Sequence, residues 1–223
     1  MKHKRIVLAA VMLAMTCMLT LPLTSTLAAP TDTPITLNLN LGAEPTTLDP
    51  ARATDSTSNS VIEQLFLGLV DMDDETAEIR PELATSWQIS AGGTVYTFAL
   101  RSDVFWTDGH PVTAHDVRYG ILRSLDPATA SDFAYVLFLI QNAEEYHNGA
   151  ITDPNQVGVT ALDGTHLRIT LDHPASYVLS ILAMPVARPA PQWAIAQWGT
   201  AWTEPGHIVT NGAYRLSQWV HND

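Results

Sequence analysis

The sequence predicts an α/β fold of mixed α+β layers, and three observations carry that reading. Two runs, residues 35–41 and 166–172, alternate strictly between apolar and polar side chains, the period of a half-buried strand. Two others, 58–69 and 114–125, carry apolar residues at helical spacing. Strand and helix signals are interleaved, and the 223 residues are 46% hydrophobic against 15% charged, enough apolar material for a sizeable layered core.

The elements follow in chain order. Residues 1–28 read as a signal peptide. A basic start (Lys2, Lys4, Arg5) leads into an apolar run over 6–23, and Thr26 and Ala28 stand three and one before a cut after Ala28. The apolar run reaches the length of a membrane span, but the cut-site pattern favours removal over an uncleaved anchor. Cys17 is the sole cysteine. With Ala14 and Thr16 before it and apolar residues after it, it reads as part of the signal core and not as a lipid attachment site. The exported part therefore has no disulfide and no thiolate chemistry.

Residues 29–34 read as a flexible lead-in, and the folded part is expected over 35–223. The strand over 35–41 is followed by a Pro-punctuated loop, Glu44-Pro45-Thr46-Thr47-Leu48-Asp49-Pro50. A helix is expected over 58–69 on the stripe Val61, Ile62, Leu65, Phe66. Short strands and turns follow from 70 to 101, with the clearest turn at Gly92-Gly93 before an alternating run over 94–100. Thr113-Ala114-His115-Asp116 has the form of a capping box and opens a helix to about Leu125, which Asp126-Pro127 stops. A second long helix is expected over 131–147, closing at Asn148-Gly149. A turn at Asp163-Gly164 precedes the strand over 166–172, and a last strand-like run covers 213–220.

Charge narrows the function. Eleven basic against 23 acidic residues give −12, and loss of residues 1–28 with their three basic side chains leaves 8 against 23, or −15. Such a surface repels nucleic-acid phosphates and anionic lipid heads. The sequence also lacks a nucleophile elbow, a His-Glu-x-x-His zinc motif, a Gly-rich phosphate loop and paired-Cys metal motifs, so it points to no catalytic set, no metal and no cofactor. Asp71-x-Asp73-x-Glu75 with Glu82 imitates a calcium loop, but Thr76 stands where the sharp turn needs Gly, so a solvated hairpin turn is expected. His110 and His115 are five apart, off the one-face spacing of a helical metal pair. The six tryptophans belong to the core or to a ligand cleft.

The linear order of motifs says more. Glu44-Pro45-x-x-Leu48-Asp49-Pro50 is followed by Gln64-Leu65-Phe66-x-Gly68-Leu69-Val70, Pro81-x-Leu83-Ala84-x-Ser86-Trp87, and Tyr96-Thr97-Phe98-x-Leu100-Arg101. Then come Trp106-x-Asp108-Gly109-x-Pro111-Val112-Thr113-Ala114-x-Asp116-Val117 and Thr210-Asn211-Gly212-Ala213-Tyr214. In type and order this resembles the family 5 extracellular solute-binding proteins of peptide and nickel ABC transporters, in its oligopeptide-binding branch, over residues 35–223. The resemblance implies a periplasmic-binding-protein-like type II clamshell. It also implies that this chain covers most of the first lobe only, as an N-terminal fragment ending before the hinge.

The implied function is capture of an oligopeptide ligand outside the cytoplasmic membrane by a monomer, and its delivery to ABC transporter permease subunits. Main-chain hydrogen bonds would give affinity, and hinge closure would follow the ligand. By the same resemblance, Glu44, Pro45 and Thr46 are where the first lobe meets the peptide, with Glu44 the polar contact; a solvated loop acid is its ordinary alternative. Tyr135 matches a cleft-facing aromatic, against core packing as the usual fate of a helical aromatic. Trp106-x-Asp108-Gly109 and Asn211-Gly212-Ala213-Tyr214 are expected to serve turn and packing geometry. The acid that holds the peptide's amino group is implied to lie in the other lobe. A dipeptide, nickel or opine binder is the alternative within the family. An exported hydrolase using Asp108 or Asp116 with His110 or His115 is the alternative of another class.

Overall fold

Buried apolar positions recur at every second residue of one strand, and that pattern organises the sheet. The computed structural model describes residues 41–90 and 92–221; the expected signal peptide with Cys17, the lead-in and all but Leu41 of the strand over 35–41 lie outside them. Strand β4 (Val95–Leu100) buries Tyr96, Phe98 and Leu100 and turns the intervening residues outward. It is flanked by β3 (Ala84–Ile89) and β6 (His166–Thr170), and β5 (Val159–Ala161) pairs on the far side of β6. The result is an antiparallel sheet of order β3-β4-β6-β5. The register sets Tyr96 opposite Ile169 and Phe98 opposite Leu167, and Val159 lies opposite Ile169, so one apolar face runs across three strands. Trp87 lies opposite Phe98 with their rings 6.2 Å apart.

Helix α2 (Ala114–Leu125) covers that face with Ala114, Val117, Ile121 and Leu125, a stripe at helical spacing. Its start is the expected capping box: the Asp116 carboxylate accepts from the Thr113 N–H at 2.7 Å and the Thr113 hydroxyl at 2.8 Å. A flanking face meets residues 185–190. Ser124 donates to the Val186 carbonyl at 2.7 Å, and a Cβ on Gly120 would fall onto the Arg188 carbonyl, so only glycine admits this approach.

Before the sheet, α1 (Ser56–Leu65) is capped by Asp55 and ends at Phe66, whose backbone is extended. It is shorter than the expected 58–69 because Phe66, Leu69 and Val70 are buried along a chain already turning into the hairpin of β1 (Val70–Met72) and β2 (Ile79–Pro81). The Asp71–Glu82 stretch is that hairpin. Asp73 accepts from the N–H groups of Glu75 and Thr76, and it pairs with Arg80.

Two expectations need correction. The long helix over 131–147 is not one element: a 3₁₀ turn, Ala134–Leu137, precedes a short helix α3 (Ala143–His147). Asn142 sits at φ 59°, which breaks a helix, while Gln141 donates to the Thr170 carbonyl and accepts from Gly158 N–H, so the segment joins the sheet instead. The run over 213–220 forms no strand. Its alternating burial persists at Tyr214 and Leu216, but it pairs with no strand: Tyr214 N–H donates to the Gln64 carbonyl beside the Gly212 N–H bond to Leu65, and the Tyr214 carbonyl accepts from the Thr210 hydroxyl. Two short helices complete the set, α4 (Val178–Leu182) and α5 (Gln192–Trp198), the latter running into a 3₁₀ turn, Gly199–Thr203.

Candidate functional site

The Glu44–Pro50 loop is built from its buried end outward. Leu48, Asp49 and Pro50 are buried, and the Asp49 carboxylate is surrounded by donors. Arg123 of α2 grips it with both terminal nitrogens, at 2.8 and 2.6 Å, the fork geometry that makes Arg–carboxylate pairs specific. The Trp202 indole N–H adds a bond at 3.2 Å and the Ala51 N–H one at 3.1 Å. Burial works against the Arg123 charge, but the bonds and charge of Asp49 outweigh it and hold the guanidinium pKa above its ordinary value. The Arg123 head also lies 5.9 Å from the centroid of the Trp202 ring. The Leu48-Asp49-Pro50 motif is thus a fastening between loop, helix and the 199–203 turn.

Thr46 is tied to the start of α1. Its N–H donates to Ser58 Oγ at 3.0 Å and its hydroxyl to Asp55 at 2.6 Å. That hydroxyl bond, with help from Ser58, holds the Asp55 carboxyl down at about 2 against the opposing effect of burial. Pro45 is half-buried, and Glu44 is exposed at the tip. Glu44 accepts from His221 Nδ1 at 2.7 Å, and His221 Nε2 lies 3.5 Å from a Glu204 carboxylate oxygen. Tyr135 lies in the 3₁₀ turn 134–137, 60% exposed, with its ring 6.1 Å from that of Phe133. The core-packing alternative for Tyr135 is therefore overturned.

The other motifs serve geometry. Trp106 and Trp202 are fully buried, Trp87, Trp193 and Trp219 are partly so, and Trp198 is exposed. Trp106 N–H bonds the His110 carbonyl across the turn that Gly109 makes at φ 93°. Asn211 accepts the Leu67 N–H at 3.1 Å. A Cβ on Gly212 would come within 2.7 Å of the Gln64 carbonyl, so this motif locks the tail onto the end of α1. The acids and imidazoles of the hydrolase alternative are dispersed in role. Asp116 is absorbed in its capping box, while Asp108 binds the Trp193 indole N–H at 2.7 Å and lies 3.0 Å from His110 Nδ1.

Two depressions flank this framework. One, of about 510 Å³, is acid-rich, with Glu63, Asp71, Asp73 and Glu82 beside Arg80 and Arg188. Burial pushes the Glu63 and Glu82 carboxyls up and the Arg188 guanidinium down, each opposed by the other's charge. The second, of about 360 Å³, is lined by His115, Arg118, Tyr119 and Tyr146. Among the described residues no group of three His, Cys, Asp or Glu side chains is arranged to hold a metal ion.

The sheet-and-helix unit with a fastened loop belongs to a known class. Residues 78–223 match the model of the bacterial extracellular solute-binding proteins, family 5, and the chain belongs to that family. It is 41% identical over 194 residues to the periplasmic oligopeptide-binding protein OppA of Escherichia coli, covering 84% of this chain and 34% of that protein. It is 39% identical over 200 residues to the probable deoxycholate-binding periplasmic protein YgiS of the same organism, covering 87% of this chain and 37% of that protein. Among solved structures it is similar to Haemophilus influenzae OppA in complex with RPPGFSPFR. There the TM-score is 0.78 at 34% identity, with 82% of this chain and 36% of that chain covered. The chain spans about a third of the length of these relatives.

Glu204, His221 and Arg123 are not among the residues the sequence points to, and Trp202 stands there only as one of six tryptophans placed in core or cleft. An acid–proline loop could have prompted a search for a buried cation, and Arg123 in the last turn of α2 is the candidate such a search would meet. Nothing local marks His221.

Proposed function

We propose that this chain forms the first-lobe part of the substrate-binding component of an ABC importer, exported by a signal peptide cleaved after Ala28, which captures oligopeptides and passes them to the permease. The observation that carries the reading is the 41% identity over 194 residues to a periplasmic oligopeptide-binding protein. The geometry supports it. A rigid scaffold presents a short exposed segment, Glu44 to Thr46, and an exposed aromatic, Tyr135, which is how binding residues are usually carried. Peptide main chain supplies the hydrogen bonds in such a mode, and tolerant pockets take the side chains. No reaction chemistry is required for that role.

The test is native mass spectrometry and calorimetry on protein expressed from its complete reading frame, with a library of short peptides. Co-purified mixed peptides and library binding support the reading. Their absence, or turnover of the peptides, overturns it. A bile-acid ligand in their place favours a second reading, that of a deoxycholate binder, which the similarity to YgiS keeps specific.

A further inference from the structure

We propose that the depression of about 360 Å³ beside α2 is a binding site for a small organic carboxylate, with Arg118 as its charged anchor and the Tyr119 and Tyr146 hydroxyls as its neutral donors. None of Glu44, Pro45, Thr46 or Tyr135 lines it, so the site is additional to the peptide reading and stands or falls without it.

Arg118 is held in place without being neutralised. Its Nε donates to the Val159 carbonyl at 3.1 Å and Nη2 to the Asn155 side-chain oxygen at 2.9 Å, so neutral acceptors fix the guanidinium at two points. Nη1 has no acceptor, and Arg118 forms no ion pair among the described residues. Arg80, Arg101 and Arg123 each have an aspartate, in a chain of 23 acidic against 11 basic residues. A half-buried cation left unpaired in so acidic a chain faces the depression instead. Two half-buried phenols line the same space, and neither the Tyr119 nor the Tyr146 hydroxyl makes a hydrogen bond among the described residues. Burial pushes both above their ordinary pKa of 10.0, so both remain neutral O–H donors near neutral pH. Arg123 also lines the depression, but both its terminal nitrogens are spent on Asp49. Asp126 is the acid in the lining, and one of its oxygens takes the Ala128 N–H at 2.9 Å.

The ligand class follows from these groups. Donors without acceptors call for an acceptor, and a fixed guanidinium edge with two hydroxyls beside it calls for a charged one with two oxygens. Arg118 supplies one uncompensated positive charge, and Asp126 stands on the same wall. A singly charged carboxylate therefore fits where a doubly charged phosphate would meet repulsion. Leu122, Pro154 and the two tyrosine rings offer apolar surface to the carbon body. The volume lies at the lower end of the range for small-molecule sites, which suits a single substituted ring or a short chain. A ligand of about ten non-hydrogen atoms is expected to bind in the millimolar range.

The probe is benzoate, followed by NMR on protein from the complete reading frame with isotopically labelled tyrosine rings. Tyr119→Phe and Tyr146→Phe assign the two signals. Both are expected to shift saturably with benzoate in the millimolar range. Arg118→Gln is expected to weaken binding roughly tenfold, and Tyr146→Phe, read on Tyr119, roughly threefold. Tyr146→Phe removes a hydroxyl with no bond in the fold, so its urea midpoint should stay native and its loss of affinity is not a loss of folding. Benzyl alcohol keeps the ring without the charge, and inorganic phosphate the charge without the ring; each is expected to bind at least about tenfold more weakly than benzoate. No saturable shift up to about 50 mM benzoate, or one that Arg118→Gln and Tyr146→Phe leave unchanged, overturns the site. Equal binding of benzyl alcohol overturns the role of Arg118, and equal binding of phosphate overturns the carboxylate class.

Discussion

Asp49 and Glu44 stand five residues apart on one loop, and the fold treats their carboxylates in opposite ways. Asp49 is buried, bonded twice by Arg123 and once by Trp202, with side-chain exposures of 7% and 13% across the ion pair. Glu44 is exposed and meets a titratable ring on the last described turn of the chain. A buried pair resists exchange, because removing one partner strands the other charge away from water. An exposed pair is weak and replaceable. The loop therefore has a fixed end and an exchangeable end, and the first is what gives the second a defined position.

Breaking the fixed end has the largest expected effect. Asp49→Ala leaves Arg123 buried and unpaired and is expected to cost about 3–5 kcal/mol, read as a lower urea midpoint with an unchanged slope. An equal loss from Glu44→Ala would erase the contrast between the two ends. Next, Thr46→Val removes the hydroxyl bond to Asp55 and is expected to cost about 1 kcal/mol in the same assay. It should also raise the Asp55 carboxyl from about 2 towards its ordinary 3.8. Since that carboxyl is depressed in the folded protein, its contribution is present above 3.8 and lost as pH falls through about 2, so the variant has less to lose and its deficit against the native chain should narrow over that range. Trp202→Phe keeps a ring but deletes the N–H on Asp49, with an expected cost of about 0.5–1.5 kcal/mol. Glu44→Gln comes last: less than about 0.5 kcal/mol in stability, with its effect confined to an NMR titration of His221, whose raised pKa it should lower, and to ligand affinity.

Much of the framework was legible in the sequence because its signals are local. Thr113 to Asp116 declared the start of α2, the alternation over 94–100 and 166–172 declared the paired strands, and the missing glycine at Thr76 separated a hairpin from a calcium loop. The failures were tertiary. The pattern over 131–147 is helical enough to mislead, but Gln141 finds better partners in Thr170 and Gly158, and Asn142 takes the left-handed conformation that ends the helix. Residues 213–220 alternate as a strand does, yet among the described residues they meet only the end of a helix and no strand, and alternation alone does not pair. Within the candidate site, the loop was visible through its prolines. Its fastening and its Glu44–His221 bond join residues 74 and 177 positions apart, a separation at which no spacing rule operates.

The close approach at Gly120 bears on the order of events as the chain is made. Helix α2 contains a residue that weakens an isolated helix by about 1 kcal/mol relative to alanine. The segment that rewards it, through the Ser124 bond to Val186, lies 62 residues downstream. On a ribosome, α2 emerges before β5 and β6, its partners in the sheet, and well before that segment, so both of its packed faces are still wet. The helix is completed late, by sequence that has yet to be translated when it first forms. The 185–190 stretch is thus the step that commits the unit, and slowing its arrival should prolong a partly formed intermediate open to proteases.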